Sequence, residues 1–225
     1  LDKEKNCYLI NGQKMWITNS GFAEVFIVFA KIEDDEKLSA FIIEKSFGGI
    51  TLGEEEKKLG IKGSSTRQVY FENCPVPMEN LLGKRNDGFK IALNILNSGR
   101  IKLSAATIGG SKFALSKAVK YSIEREQFGK SIGEFTAMQF KIGEMARKIF
   151  SAESAVYRTG RNIDLKEKEL KENNIPSNEI KLKGLREYTI ECSLMKVYAS
   201  EVLDYCVDES LQIHGGMGYS VETKV

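Results

Sequence analysis

The chain has 225 residues, 42% of them hydrophobic, with 33 Lys and Arg against 31 Asp and Glu for a formal net charge of +2. That is enough apolar material for one large or two smaller globular domains, and the near-neutral balance offers no general basic field for nucleic acid. One histidine and four scattered cysteines, Cys7, Cys74, Cys192 and Cys206, with no CxxC pair, argue against multi-histidine metal sites, zinc clusters, a disulfide framework and a Ser-His-Asp triad.

No run of about 18 apolar residues is present, so no membrane-spanning segment is predicted. The chain opens "LDKEKNCYLING", without Met and without signal or transit composition, and stops at "GYSVETKV"; a segment of a longer polypeptide is expected.

Residues 7–82 read as β structure. Asn11-Gly12, between apolar stretches, predicts a type I′ hairpin whose two strands pair locally. "EVFIVFAKI" (24–32) and "LSAFIIEK" (38–45) predict central, buried strands. "TRQVYFENCPVP" (66–77) alternates outward Arg67 with inward Val69 and Phe71, and its prolines should end the ladder.

Beyond Gly83 the period becomes helical, over residues 88–126, 137–163 and 177–211. "DLKEKELKENNIPSN" (164–178) is charge-dense and carries a proline, predicting a solvated connection with Ser177 as N-cap. Three helices leave a bundle short of a fourth, so helix is expected to resume after Glu222. The expected class is α+β: an antiparallel β domain over 1–83, then an up-down helical bundle over 84–225.

Four stretches offer chemistry. Trp16, Ile17 and Thr18 put an indole wall and a hydroxyl where a planar heterocycle could lie, although by itself Trp16 reads as a core-filling side chain. "EREQFGK" (124–130) places Arg125 and Phe128 where a phosphate could be clamped and a ring stacked; its plain alternative is a solvated helix end. "QIHGGMGY" (212–219) lets backbone N–H groups line an anion; it is not a dinucleotide fingerprint, and His214 there reads as a packing or hydrogen-bonding side chain. Arg100, inside an otherwise apolar helix, needs an anionic or carbonyl partner, structural or ligand-borne.

Taken in order, "INGQKMWIT", "LGIKGSSTRQVYFENCPVPMENLLG", "REQFGKSI" and "QIHGGMGY" resemble the acyl-CoA dehydrogenase family, and the wording "LNSGR" is similar to its very-long-chain branch. The resemblance implies a flavoprotein that converts fatty acyl-CoA thioesters to trans-2-enoyl-CoA and passes electrons to an electron-transfer flavoprotein. It implies that Trp16, Ile17 and Thr18 flank the flavin of FAD. Arg125 and Phe128 would reach an FAD held mainly by a neighbouring subunit, and Gln212, Gly215 and Gly216 would contact its adenine and pyrophosphate side across that interface. A homotetramer built as a dimer of dimers follows.

Asn97, Ser98, Gly99 and Arg100 match the acyl-CoA contact segment. Other branches carry the catalytic glutamate at the position of Gly99, which cannot serve as base. The resemblance puts the base beyond Val225, so no catalytic residue is assigned and the segment alone is expected to be inactive; Glu222 is read as part of a following helix. Where many members have glutamine, this chain has Thr136, with Gln139 nearby as a substitute or a solvent-facing side chain. An acyl-CoA oxidase or flavin oxygenase of the same fold, and a non-catalytic assembly member, are the competing readings. The compartment is expected to be intracellular, with bacterial cytoplasm and mitochondrial matrix both open.

Overall fold

The computed structural model describes residues 6–223. The chain divides between Leu93 and Asn94 into two compact units.

The first unit is built on β1 (Cys7–Thr18), β2 (Val25–Ala30), β3 (Ser39–Glu44), β4 (Ile50–Leu52), β5 (Thr66–Pro77) and β6 (Leu81–Leu82). They form two antiparallel three-stranded sheets, ordered β1-β5-β4 and β2-β3-β6. The expected local hairpin is absent. β1 runs straight through Asn11-Gly12 and pairs along its length with β5. Gly12 sits at a register shift with φ +135°, and the Asn11 Oδ1 accepts a hydrogen bond from the Asn73 N–H at 2.8 Å. A long partner strand satisfies both halves of β1, so the glycine supplies a bulge in place of a turn.

Two further expectations are corrected. β3 is central and buried, but β2 is an edge strand that alternates, with Val25 and Ile27 exposed. The prolines at 75 and 77 lie inside the ladder, opposite Leu9 and Cys7. β4 pairs with β5 only across Val69–Phe71, leaving the far half of β5 with one free edge, where a residue lacking an N–H is tolerated. The core of this unit gathers Phe41, Ile43, Val69, Cys74 and Val76, all at 0% exposure.

The second unit holds most of α1 (Gly88–Glu124), a small hairpin of β7 (Glu126–Gln127) and β8 (Lys130–Ser131), then α2 (Thr136–Glu172), α3 (Ser177–Glu187) and α4 (Thr189–Ile213). The stretch read as a solvated connection is helical through Glu172. Its Lys, Glu and Leu residues are strong helix formers, and Lys166–Glu169 and Lys168–Glu172 pair along one face. The third predicted helix breaks at Tyr188 into α3 and α4. Ser177 is the first helical residue, after Pro176, and makes no capping bond. Glu222 lies in a turn and not in a helix; a helix continuing past Thr223 falls outside the described residues.

α1 buries small and polar residues, among them Asn97, Ser104, Thr107, Ser111, Ala114 and Ala118. The hydroxyls of Ser104, Thr107 and Ser111 donate to carbonyls one turn back in the same helix, so they need no partner across the interface. Against this face pack Met145, Ile149 and Ala152 of α2 and Ala199, Val202 and Cys206 of α4. Lys112–Glu153 and Lys141–Glu209 pair α1 with α2 and α2 with α4. The four cysteines are free and buried, and burial pushes the thiols of Cys74, Cys192 and Cys206 up from their ordinary value.

The central and edge positions of β3 and β2 predict different costs for one substitution. Ile43→Ala, in a fully buried site, should cost about 2–5 kcal/mol, whereas Ile27→Ala, 47% exposed, should cost under about 1 kcal/mol. Urea unfolding of both variants checks the ordering.

Candidate functional site

Trp16 does not fill the core. It is 60% exposed and takes φ +59°, a left-handed conformation rare for a bulky residue. The strain falls where the pairing of β1 with β5 slips between Lys14 and Ile17. The slip turns the indole outward, while Ile17 packs on the core. Thr18 is exposed beside them.

The chain just past Thr18 is anchored from across the sheet. The Asn19 N–H donates to the Ser65 carbonyl at 2.8 Å, the Gly21 N–H donates to the Ser65 Oγ at 3.1 Å, and buried Ser20 donates back to the Ile17 carbonyl at 2.7 Å. Ser65 is in turn held by Glu55, whose carboxylate accepts its hydroxyl, the Thr66 N–H at 3.0 Å and Arg67 Nε at 2.9 Å. Those bonds, the Ser65 hydroxyl first, pull the Glu55 carboxyl down to about 2. No local signal in the sequence points to Glu55, since it meets Ser65 only through the β4–β5 pairing.

A second cluster lies where α1 ends. Arg125 follows α1 directly, and Phe128 and Gly129, both at positive φ, form the two-residue turn between β7 and β8. At the C-terminal end of α4, Gly215 (φ +57°) opens a short 3-10 turn over Gly215–Tyr219. Gly218 is obligatory there, because a Cβ would stand 2.4 Å from the Leu211 carbonyl oxygen.

Arg125, Gly215 and Gly216 line one open pocket of about 420 Å³, together with Tyr121, Gln127, Ile132, Ile213, His214 and Met217. Among the described residues lining it, Arg125 is the one charged side chain. Cβ atoms built at Gly215 and Gly216 would meet nothing within 4 Å, so the glycines keep clear the space a side chain would take. A cation, glycine backbone without side chains and no carboxylate fit a phosphate or pyrophosphate group.

Gln212 and Phe128 are exposed and do not line this pocket. Phe128 meets Phe135 edge-on, centroids 6.3 Å apart. Gln139 is exposed and donates to the Gly133 carbonyl at 3.2 Å; Thr136 opens α2. Tyr121 was not among the sequence candidates, though it stands one helical turn before Arg125, a spacing that places the two on one face.

The segment 97–100 lies near the other end of α1. Asn97 is 3% exposed and is engaged on both sides: its Nδ2 donates to Thr189 Oγ1 at 2.9 Å, and its Oδ1 accepts from Arg100 Nη1 at 2.8 Å. No carboxylate pairs with Arg100 among the described residues, so its remaining donors are available. Ser98 is half-buried, and Gly99 is exposed with nothing near a built Cβ. Arg100 and Arg125 are separated by 25 residues of α1 and its end, about 37 Å of helix, and belong to separate sites.

Among the described residues no group of His, Cys, Asp and Glu is placed to hold a metal, and no helix is long and apolar enough to cross a membrane.

Paired antiparallel sheets followed by a helical bundle, with an open pocket where α1 and α4 end, are the features shared with the proteins to which the comparisons lead. Residues 1–74 match the acyl-CoA dehydrogenase middle domain, and residues 86–225 match the acyl-CoA dehydrogenase C-terminal domain. The chain belongs to the acyl-CoA dehydrogenase family. It is 48% identical over 218 residues to a probable acyl-CoA dehydrogenase of Bacillus subtilis, spanning 97% of this chain and 36% of that protein. To the mitochondrial very long-chain specific acyl-CoA dehydrogenase of Rattus norvegicus it is 41% identical over 226 residues, spanning 97% and 32%. The crystal structure of a Bacillus anthracis acyl-CoA dehydrogenase complexed with FAD superposes with a TM-score of 0.90 at 48% identity, covering 99% of this chain and 38% of that one. The chain thus spans about a third of the length of these relatives.

The Glu55 anchor predicts a pH dependence. Its folded value of about 2 lies below the ordinary carboxylate value near 4.3, so its contribution is complete above about pH 4.3 and is lost as pH falls toward 2. The stability difference between the wild type and Glu55→Gln should shrink over that window in thermal melts. A difference that stays constant with pH would remove Glu55 from the anchor.

Proposed function

We propose that the chain supplies cofactor-facing and acyl-facing elements of an FAD-dependent acyl-CoA dehydrogenase, acting on fatty acyl-CoA thioesters in β-oxidation to give trans-2-enoyl-CoA. The observation that carries the reading is the Arg125, Gly215 and Gly216 pocket, which pairs a guanidinium with two glycines whose backbone is left bare and contains no carboxylate. FAD, when bound, supplies the acceptor for the hydride that leaves the β-carbon.

The chain's own residues bind and orient. Arg125 and the glycine backbone hold the pyrophosphate of an FAD shared with a neighbouring subunit, and Phe128 and Gln212, exposed outside the pocket, are proposed to meet other parts of that FAD. Trp16 offers the flat face of an indole to an aromatic ring, with Ile17 behind it and the Thr18 hydroxyl free to bond a ring nitrogen. Asn97 holds the Arg100 guanidinium, Ser98 lies beside it, and Gly99 leaves open space for an acyl thioester. Gly99 also leaves this face of α1 without a carboxylate, so the base that takes the α-proton is proposed to come from sequence following Val225.

The separation of the two sites along α1 supports an assembly in which each cofactor touches two copies, a tetramer made as a dimer of dimers. Large apolar side chains left exposed on the helices, such as Leu103, Phe113, Phe150 and Tyr157, suit such contacts. Electrons are proposed to leave to an electron-transfer flavoprotein.

Arg125→Ala should weaken FAD binding by about tenfold to a hundredfold, the range of a hydrogen bond to a charged group. Trp16→Ala should likewise lower flavin retention more than helix content. Visible absorption of bound flavin set beside far-ultraviolet circular dichroism checks both, and parallel loss of flavin and fold would return Trp16 and Arg125 to structural roles. Anaerobic acyl-CoA should bleach the flavin of a form extended beyond Val225; a flavin that stays oxidised there would count against dehydrogenation.

A further inference from the structure

His214, the single histidine, is 5% exposed and sits directly after α4, on the wall of the Arg125 pocket. Its Nδ1 lies 2.7 Å from the Ser210 carbonyl oxygen. A carbonyl only accepts, so Nδ1 carries a proton and donates it. The ring is fixed on its face as well, stacked on Tyr121 with centroids 4.3 Å apart and planes 29° apart.

The other nitrogen is unclaimed. Nε2 makes no hydrogen bond within the protein, yet no buried side-chain nitrogen or oxygen among the described residues is sealed without a partner. Nε2 is therefore open, and the opening available to so buried a ring is the pocket it lines. With Nδ1 committed to Ser210, a neutral ring shows the pocket a lone pair, which phosphate oxygens would repel. A ring that has gained a proton shows an N–H.

We propose that His214 is a phosphate-binding residue of this pocket and takes up a proton from solvent as a phosphate group enters. This rests on the reading that the pocket receives the pyrophosphate of the cofactor. The charge balance sets the direction. Arg125 is the charged side chain on the wall and Tyr121 the other titratable one. Gln127 from β7, Ile132 after β8, and Ile213 and Met217 flanking the glycines add no charge. An arriving phosphate brings negative charge to this wall, and the carbonyls at the C-terminal end of α4 favour a cation at His214. Nε2–H then donates to a phosphate oxygen beside Arg125, so binding weakens as pH rises.

The test uses ADP as probe, titrated calorimetrically into the chain in buffers of different ionisation enthalpy, which counts protons exchanged on binding. His214→Gln keeps a side-chain donor near the same place and titrates nothing, so it also subtracts any proton change of ADP itself. The wild type should take up as much as about one proton more per ADP than His214→Gln. His214→Phe, which keeps a ring on Tyr121, should bind ADP about tenfold more weakly than wild type. Equal proton counts in the wild type and His214→Gln, or undiminished affinity in His214→Phe, would overturn the assignment while leaving the pocket intact. Failure of ADP to bind the wild type at any pH would remove the pocket reading and this proposal together.

Discussion

The helical unit depends on one constraint, the small and self-satisfied buried face of α1. Ser104, Thr107 and Ser111 return their hydroxyls to their own helix, and Ala114 and Ala118 bring little bulk. α2 and α4 therefore pack apolar side chains of their own against α1 and leave no polar group among the described residues orphaned. Within this unit α1 carries the Asn97–Arg100 segment, and Arg125 follows its last turn, where α4 delivers His214 and the glycines. The pocket thus joins residues about ninety positions apart, from the ends of α1 and α4.

In the β unit the corresponding device is a fault in register. β1 gives nearly all its length to β5, and where that pairing slips the chain turns Trp16 outward in a conformation its side chain disfavours. Such strain persists only where surrounding bonds hold it. Here the chain after Trp16 is held by the packing of Ile17 on the core and by the bond from the Asn19 N–H to the Ser65 carbonyl.

Much of this was legible in the sequence where side-chain pattern and local chemistry agree. The alternation in 66–77 marked β5, and the helical period after Gly83 marked the bundle. What misled was local signal overridden by distant partners. Asn11-Gly12 has the chemistry of a hairpin turn, but β5, some sixty residues away, satisfies both flanks, and a bulge results. The charged run after Ile163 looked solvated and is, yet its Lys and Glu residues favour helix. Trp16 alone argued for the core, and only the motif context argued otherwise. Arg125, Gly215 and Gly216 were all visible as candidates, but their convergence, and the inclusion of Tyr121 and His214, depends on α1 and α4 ending side by side.

The account stands or falls on what the Arg125 pocket holds. The most direct measurement is an experimental structure of the assembled protein with FAD. The account predicts density for a pyrophosphate with its oxygens within hydrogen-bond distance of the Arg125 guanidinium and the Gly215 and Gly216 N–H groups. A pocket filled instead by a side chain of another copy, with FAD bound elsewhere, would contradict it.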